Sequence, residues 1–98
     1  MSNQNHESKA LKVRIEGRVQ GVGFRYFVYK HARRKGVRGW VKNLDDGRVE
    51  AYFEGDQNQL DSIVELCRQG PAGSKVKDLQ AESLQPTGRL KNFDFKYD

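Results

Sequence analysis

The stretch from Gly17 to Arg25, GRVQGVGFR, gathers the residue types in this chain that could hold an anion. Gly17, Gly21 and Gly23 let backbone N–H groups approach a ligand and take up positive φ without a Cβ clash. They lie where one hydrophobic period gives way to another. Before them Val13 and Ile15 alternate with Lys12, Arg14 and Glu16, and after them Phe24, Phe27, Val28, His31 and Ala32 recur every three or four residues. A strand thus runs into a helix, whose first N–H groups and positive dipole end add to the cradle. The glycines alone fit a merely tight strand-to-helix connection equally well. Arg25 tips the balance, because a guanidinium in the first helical turn opposes the macrodipole and a doubly charged anion opposite it accounts for that cost.

Two other glycine loops do not fit. A nucleoside-triphosphate loop needs Gly-Lys followed by Ser or Thr, whereas Gly23 is followed by Phe24 and Arg25. A dinucleotide loop needs a third glycine where this chain has Tyr26. With GRVQGVGFR and the second string GWVKNLDDGRVE, from Gly39 to Glu50, the chain closely resembles the acylphosphatase family. The resemblance extends in order and spacing from about Leu11 to Tyr97 and shows no departure at a motif position. It implies an enzyme that hydrolyses the carboxyl-phosphate bond, with Arg25 and Asn43 as catalytic residues and Val19, Gln20, Gly21, Val22, Gly23 and Phe24 as the phosphate-binding loop. Small acyl phosphates and inorganic phosphate are the implied ligands.

These residues need elements to position them. Strand patterns cover about Leu11–Glu16, Arg38–Leu44, Val49–Glu54 and Lys75–Leu84, with a closing alternation at Phe93, Phe95 and Tyr97. Asp45, Asp46 and Gly47 supply the turn of a hairpin. Gly36 suits the end of the first helix. Asp56 with Gln59 reads as a capping box, opening a helix that buries Leu60, Ile63, Val64 and Cys67 and stops at Gly70 and Pro71. The order predicts an α+β domain, a ferredoxin-like split βαβ sandwich of βαββαβ form plus a short C-terminal strand, with two helices on one face of an antiparallel sheet. Residues 10–98 would form it, behind a disordered tail over residues 1–9. A right-handed crossover makes the first two strands parallel, so the loop and Asn43 arrive at the same edge of the sheet, two strand spacings or on the order of 10 Å apart.

Ninety-eight residues allow one domain, and 36% hydrophobic with 32% charged residues is ordinary for a globular protein. The opening MSNQNHES has neither an apolar nor a basic leader region, and no run is long enough to span a membrane, so a cytoplasmic monomer is expected. The formal charge of +5 is uneven. Through Lys42 there are eleven Lys or Arg against two acids, a net of +9, and beyond it seven against eleven, a net of −4. A positive field surrounds the loop and would steer anions to it. Lys30, Arg33, Arg34 and Lys35 read as the solvated face of the first helix rather than a specific nucleic-acid patch. No RNA-recognition strand is present, since Arg38-Gly39-Trp40-Val41 breaks off after two matching positions.

Cys67 is alone and His6 has only His31 as a fellow histidine, so no metal site or cofactor is expected. That restricts the chemistry. Hydrolysis of a phosphate monoester normally draws on metals, a covalent nucleophile or a strong acid. An acyl phosphate instead expels a carboxylate whose conjugate acid has a pKa of about 4, and needs only positioning and charge stabilisation. The backbone of Val19 to Phe24 would cradle the phosphoryl oxygens, Arg25 would clamp them, and Asn43 would orient water that it is too weak a base to deprotonate. Asp45 and Asp46 fit turn chemistry better than the role of a base. The competing reading is a non-catalytic ferredoxin-like module that binds nucleic acid or an anion.

Overall fold

The computed structural model describes residues 7–97. Its elements are β1 (Lys9–Arg18), α1 (Phe24–Lys35), β2 (Arg38–Asn43), β3 (Val49–Gly55), α2 (Gln57–Gln69), β4 (Lys75–Leu84) and β5 (Phe93–Phe95). The tail expected over residues 1–9 falls mostly outside the described residues, and Lys9 already pairs with Gly55. The strands form one sheet in the order β4-β1-β3-β2-β5. Because β1 and β2 both run antiparallel to β3, they are parallel to each other, and their C-terminal ends meet at one edge. The closing strand differs from its neighbours: β5 pairs parallel with β2, which makes the sheet mixed.

Alternation along the strands builds the core. Val13, Ile15, Val41, Ala51 and Phe53 form a continuous cluster with Phe24, Val28 and Ala32 of α1 and with Leu60, Ile63 and Cys67 of α2. Fully burying side chains of this size contributes about 1.5–3 kcal/mol each, which fixes α1, and with it the loop that precedes it. The helix ends follow the sequence signals. Asp56 accepts from the Gln59 N–H and Gln59 reaches back to the Asp56 N–H, both at 2.8 Å, completing the capping box. Gly36, in the left-handed region, closes α1.

Away from the loop, Glu54 is buried and pins the segment after β4. Its Oε2 accepts from the Tyr52 hydroxyl and from the Thr87 N–H and hydroxyl, the last two at 2.7 and 2.9 Å. Burial opposes the charge, but these donors outweigh it and hold the carboxyl below its ordinary value of 4.5. A depressed pKa contributes stability that is present above the unfolded value and lost as pH falls through the folded one. Glu54→Ala is therefore expected to cost about 2–3 kcal/mol near neutrality, the scale of hydrogen bonds to a buried charge. In urea titrations the gap between variant and wild type should narrow as pH falls below the ordinary glutamate value of 4.5 and through the depressed folded value. A gap that stays constant with pH would contradict the ionised state of Glu54.

Candidate active site

The loop leaves β1 at a bulge between Glu16 and Gly17, where the chain passes so close to β4 that a Cβ on Gly17 would lie 2.1 Å from the Lys75 carbonyl oxygen. Val19 and Phe24, each 1% exposed, anchor the two ends of the turn in the core. Between them Gly21 and Gly23 have φ of 76° and 78°. No atom lies within 4 Å of a Cβ built at either, so it is the sign of φ rather than crowding that calls for glycine. An L side chain there costs about 1–2 kcal/mol.

Gly23 is the N-cap of α1, and no side chain caps the helix and no acid occupies its first turn. The first helical bond, from the Phe27 N–H to the Gly23 carbonyl, is 3.0 Å. The N–H groups of Phe24, Arg25 and Tyr26 precede that bond and have no partner within the helix. Arg25 is half-buried, its guanidinium 5.8 Å from the Tyr97 ring centre, and it has no carboxylate partner among the described residues. Asn43 ends β2 opposite Val49, exposed, and its amide makes no hydrogen bond among the described residues.

The loop residues Val19, Gln20, Gly21, Gly23 and Phe24 line a cavity of about 300 Å³ together with Arg25 and Asn43. The crossover thus brings the two expected catalytic residues and most of the loop to one place. Val22 is the exception, for it packs against the core and does not line the cavity. Gln20 commits its side-chain amide to the hairpin, its Nε2 donating to the carbonyls of Leu44 and Arg48 at 2.9 Å each. A larger depression of about 690 Å³, beside the β2–β3 turn, contains neither Arg25 nor Asn43.

Three residues of the cavity wall are not apparent from the motifs: Tyr26, Phe95 and Tyr97. Phe95 stacks on Tyr29 at 4.6 Å, and the Lys96 N–H donates to the Val41 carbonyl at 2.9 Å, so β5 carries an aromatic wall to the side of Asn43. The alternation of Phe93, Phe95 and Tyr97 was the available signal. What it lacked was the parallel pairing that places these rings beside the loop.

The remaining chemical groups stand apart. Asp46 is held by Arg48, whose side chain and N–H both donate to it and lower its pKa. Neither Asp45 nor Asp46 lines the cavity. His31 packs edge-on to Phe27 at 4.6 Å, and burial, followed by the charges of Lys30, Arg34 and Lys35, lowers its pKa and keeps it neutral at pH 7. Cys67 is fully buried and its thiol is pushed up to about 12. Among the described residues no three His, Cys, Asp or Glu converge as metal ligands.

Among the described residues a ferredoxin-like sheet presents an uncapped helix start, an arginine with no carboxylate partner and an amide with no hydrogen bond to one cavity, an arrangement suited to a phosphoryl group. The sequence profile of the acylphosphatase family matches residues 11–95, and the chain belongs to that family. It is 46% identical over 80 residues to an acylphosphatase of Methanocella arvoryzae, covering 82% of this chain and 91% of the relative. With an acylphosphatase of Trichormus variabilis it shares 43% identity over 98 residues, 98% of this chain and 96% of the other. A crystal structure of acylphosphatase from Bacillus subtilis superposes with a TM-score of 0.88 at 43% identity, covering 91% of this chain and 99% of that one. Family and fold together support hydrolysis of acyl phosphates over a non-catalytic binding module.

Proposed function

We propose that the protein hydrolyses acyl phosphates, which are mixed acid anhydrides, by positioning and charge stabilisation alone, with the loop, Arg25 and Asn43 as its working parts. The observation that carries this reading is the convergence on one cavity of an uncapped helix start, a guanidinium with no carboxylate partner and an amide with no hydrogen bond among the described residues. N–H groups from Val19 to Phe24 hold the phosphoryl oxygens. Arg25 clamps two of them and offsets charge that develops as the bond to the acyl oxygen lengthens. Asn43 accepts from and donates to a water so that it attacks phosphorus in line, opposite the leaving carboxylate.

The water oxygen forms the new bond to phosphorus, and the phosphorus–acyl oxygen bond breaks with its electron pair leaving on the carboxylate. The water proton passes to a phosphoryl oxygen, giving inorganic phosphate. The carboxylate leaves without an enzyme acid because its conjugate acid has a pKa of about 4. The aromatic wall of Tyr26, Phe95 and Tyr97 faces the acyl half of the substrate. No step requires a second chain, a metal or a nucleic acid. A monomer working in the cytoplasm, without specific nucleic-acid partners, belongs to the same proposal and rests on sequence composition. No helix among the described residues is long and apolar enough to cross a membrane.

The test is turnover of acetyl phosphate with and without a chelator. Activity should be unchanged in EDTA, and inorganic phosphate should inhibit competitively by occupying the loop. Activity lost in EDTA and restored by magnesium or zinc would overturn the mechanism, and noncompetitive phosphate inhibition would place the anion elsewhere.

A further inference from the structure

We propose that the Gln20 side chain is a positioning residue, tying the phosphate loop to the hairpin that carries Asn43 and so setting the separation between the phosphoryl group and the attacking water. This rests on the reading that Asn43 holds the water. The sheet order places β3 between β1 and β2, so no ladder hydrogen bond joins the end of β1 directly to the end of β2. Gln20 bridges that gap. Its Nε2 donates to Leu44 O and to Arg48 O, both at 2.9 Å. Leu44 follows Asn43 directly, and its N–H donates to the same Arg48 carbonyl at 2.8 Å, closing the hairpin. The amide thus grips both sides of the turn at the residue next to Asn43.

The spacing argues for a fixed role. Both hydrogens of the Gln20 amide are committed to the hairpin, which leaves the nitrogen none to give to a phosphoryl oxygen. Gly21 follows immediately, and glycine is the residue least able to hold its own conformation. The exposed Asn43 side chain makes no hydrogen bond among the described residues, so its placement depends on the backbone that carries it. A displacement of about 1 Å between reacting groups costs up to about a hundredfold in rate, so a contact that fixes this separation acts on turnover without touching the substrate.

Gln20→Met keeps the side-chain length and removes both donors. With acetyl phosphate as substrate, kcat should fall about ten- to a hundredfold. The inhibition constant of inorganic phosphate should stay within about twofold, because the cradle N–H groups and Arg25 remain. Introduced into Asn43→Ala, the same substitution should cost no more than about twofold further, since residues that act through one another are not additive. A purely structural role would lower both backgrounds alike. If Gln20→Met does not fold, Gln20→Asn, one methylene too short to reach both carbonyls, replaces it in the same three measurements. Wild-type turnover in the Gln20 variant, a parallel loss of phosphate affinity, or a loss that multiplies with Asn43→Ala would overturn the proposal while leaving the role of Asn43 standing. Full turnover in Asn43→Ala alone would instead remove the reading on which it rests, and the proposal with it.

Discussion

Replacing Arg25 with alanine is expected to lower kcat for an acyl phosphate by about a thousandfold, the upper range for removing one preorganised donor from a transition state. Phosphate affinity should fall with it. Loss of charge-assisted hydrogen bonds of about 1.5–3 kcal/mol weakens inhibition by inorganic phosphate by about tenfold or more. Stability should move the other way, because a guanidinium in the first turn of α1 stands against the helix dipole and no carboxylate among the described residues offsets it. Its removal should stabilise the fold by about 0.3–1 kcal/mol. Steady-state kinetics, phosphate inhibition and a thermal melt on one preparation check all three. Arg25→Lys should recover part of the binding but little of the rate, since an ammonium keeps the charge without the planar fork. An alanine variant that bound phosphate as well as wild type would show that the guanidinium does not contact the anion.

Asn43→Ala should look different. Its amide is assigned to the water alone, so phosphate inhibition should stay within about twofold while kcat falls about a hundredfold, the signature of losing a positioned reactant. Asn43→Asp provides a second reading of the same contact. It keeps the size but sets a carboxylate opposite the phosphoryl group, so repulsion should raise the phosphate inhibition constant as well as lower kcat. The variant should remain folded, for the amide makes no hydrogen bond among the described residues and its loss orphans no backbone group. Wild-type turnover in Asn43→Ala would mean that another group orients the water.

Much of this was legible in the sequence because it is written in local chemistry. The switch from a period of two to one of 3.6 located the start of α1 at Phe24, though β1 runs two residues past Glu16, and the Asp56 and Gln59 box located the start of α2. The crossover rule then brought the loop and Asn43 to one edge, and the cavity has both on its wall. What was not legible depends on pairing between distant segments. Nothing local tells β5 to run parallel to β2, so the contribution of Phe95 and Tyr97 to the cavity could not be read from their alternation. Gln20 was legible as a loop residue, but the direction of its side chain is set by carbonyls 24 and 28 residues away. Val22 illustrates the converse: its place in the motif marked it for the cradle, while its apolar side chain follows the hydrophobic effect into the core.

The parallel pairing of β5 has a further consequence for local stability. Phe93–Phe95 is a three-residue strand at the edge of the sheet with β2 as its one neighbour, whereas the loop hangs from β1, which is paired on both sides. Segments with few backbone bonds open at a free energy well below that of global unfolding. The two halves of the site therefore belong to different stability classes. The loop hangs from a central strand, while Phe95 and Tyr97 sit in or just after a short edge strand whose amide hydrogens are expected to exchange sooner than those of β1. With the aromatic wall bearing the acyl group, as proposed above, discrimination between acyl groups should decline with warming before phosphate binding does.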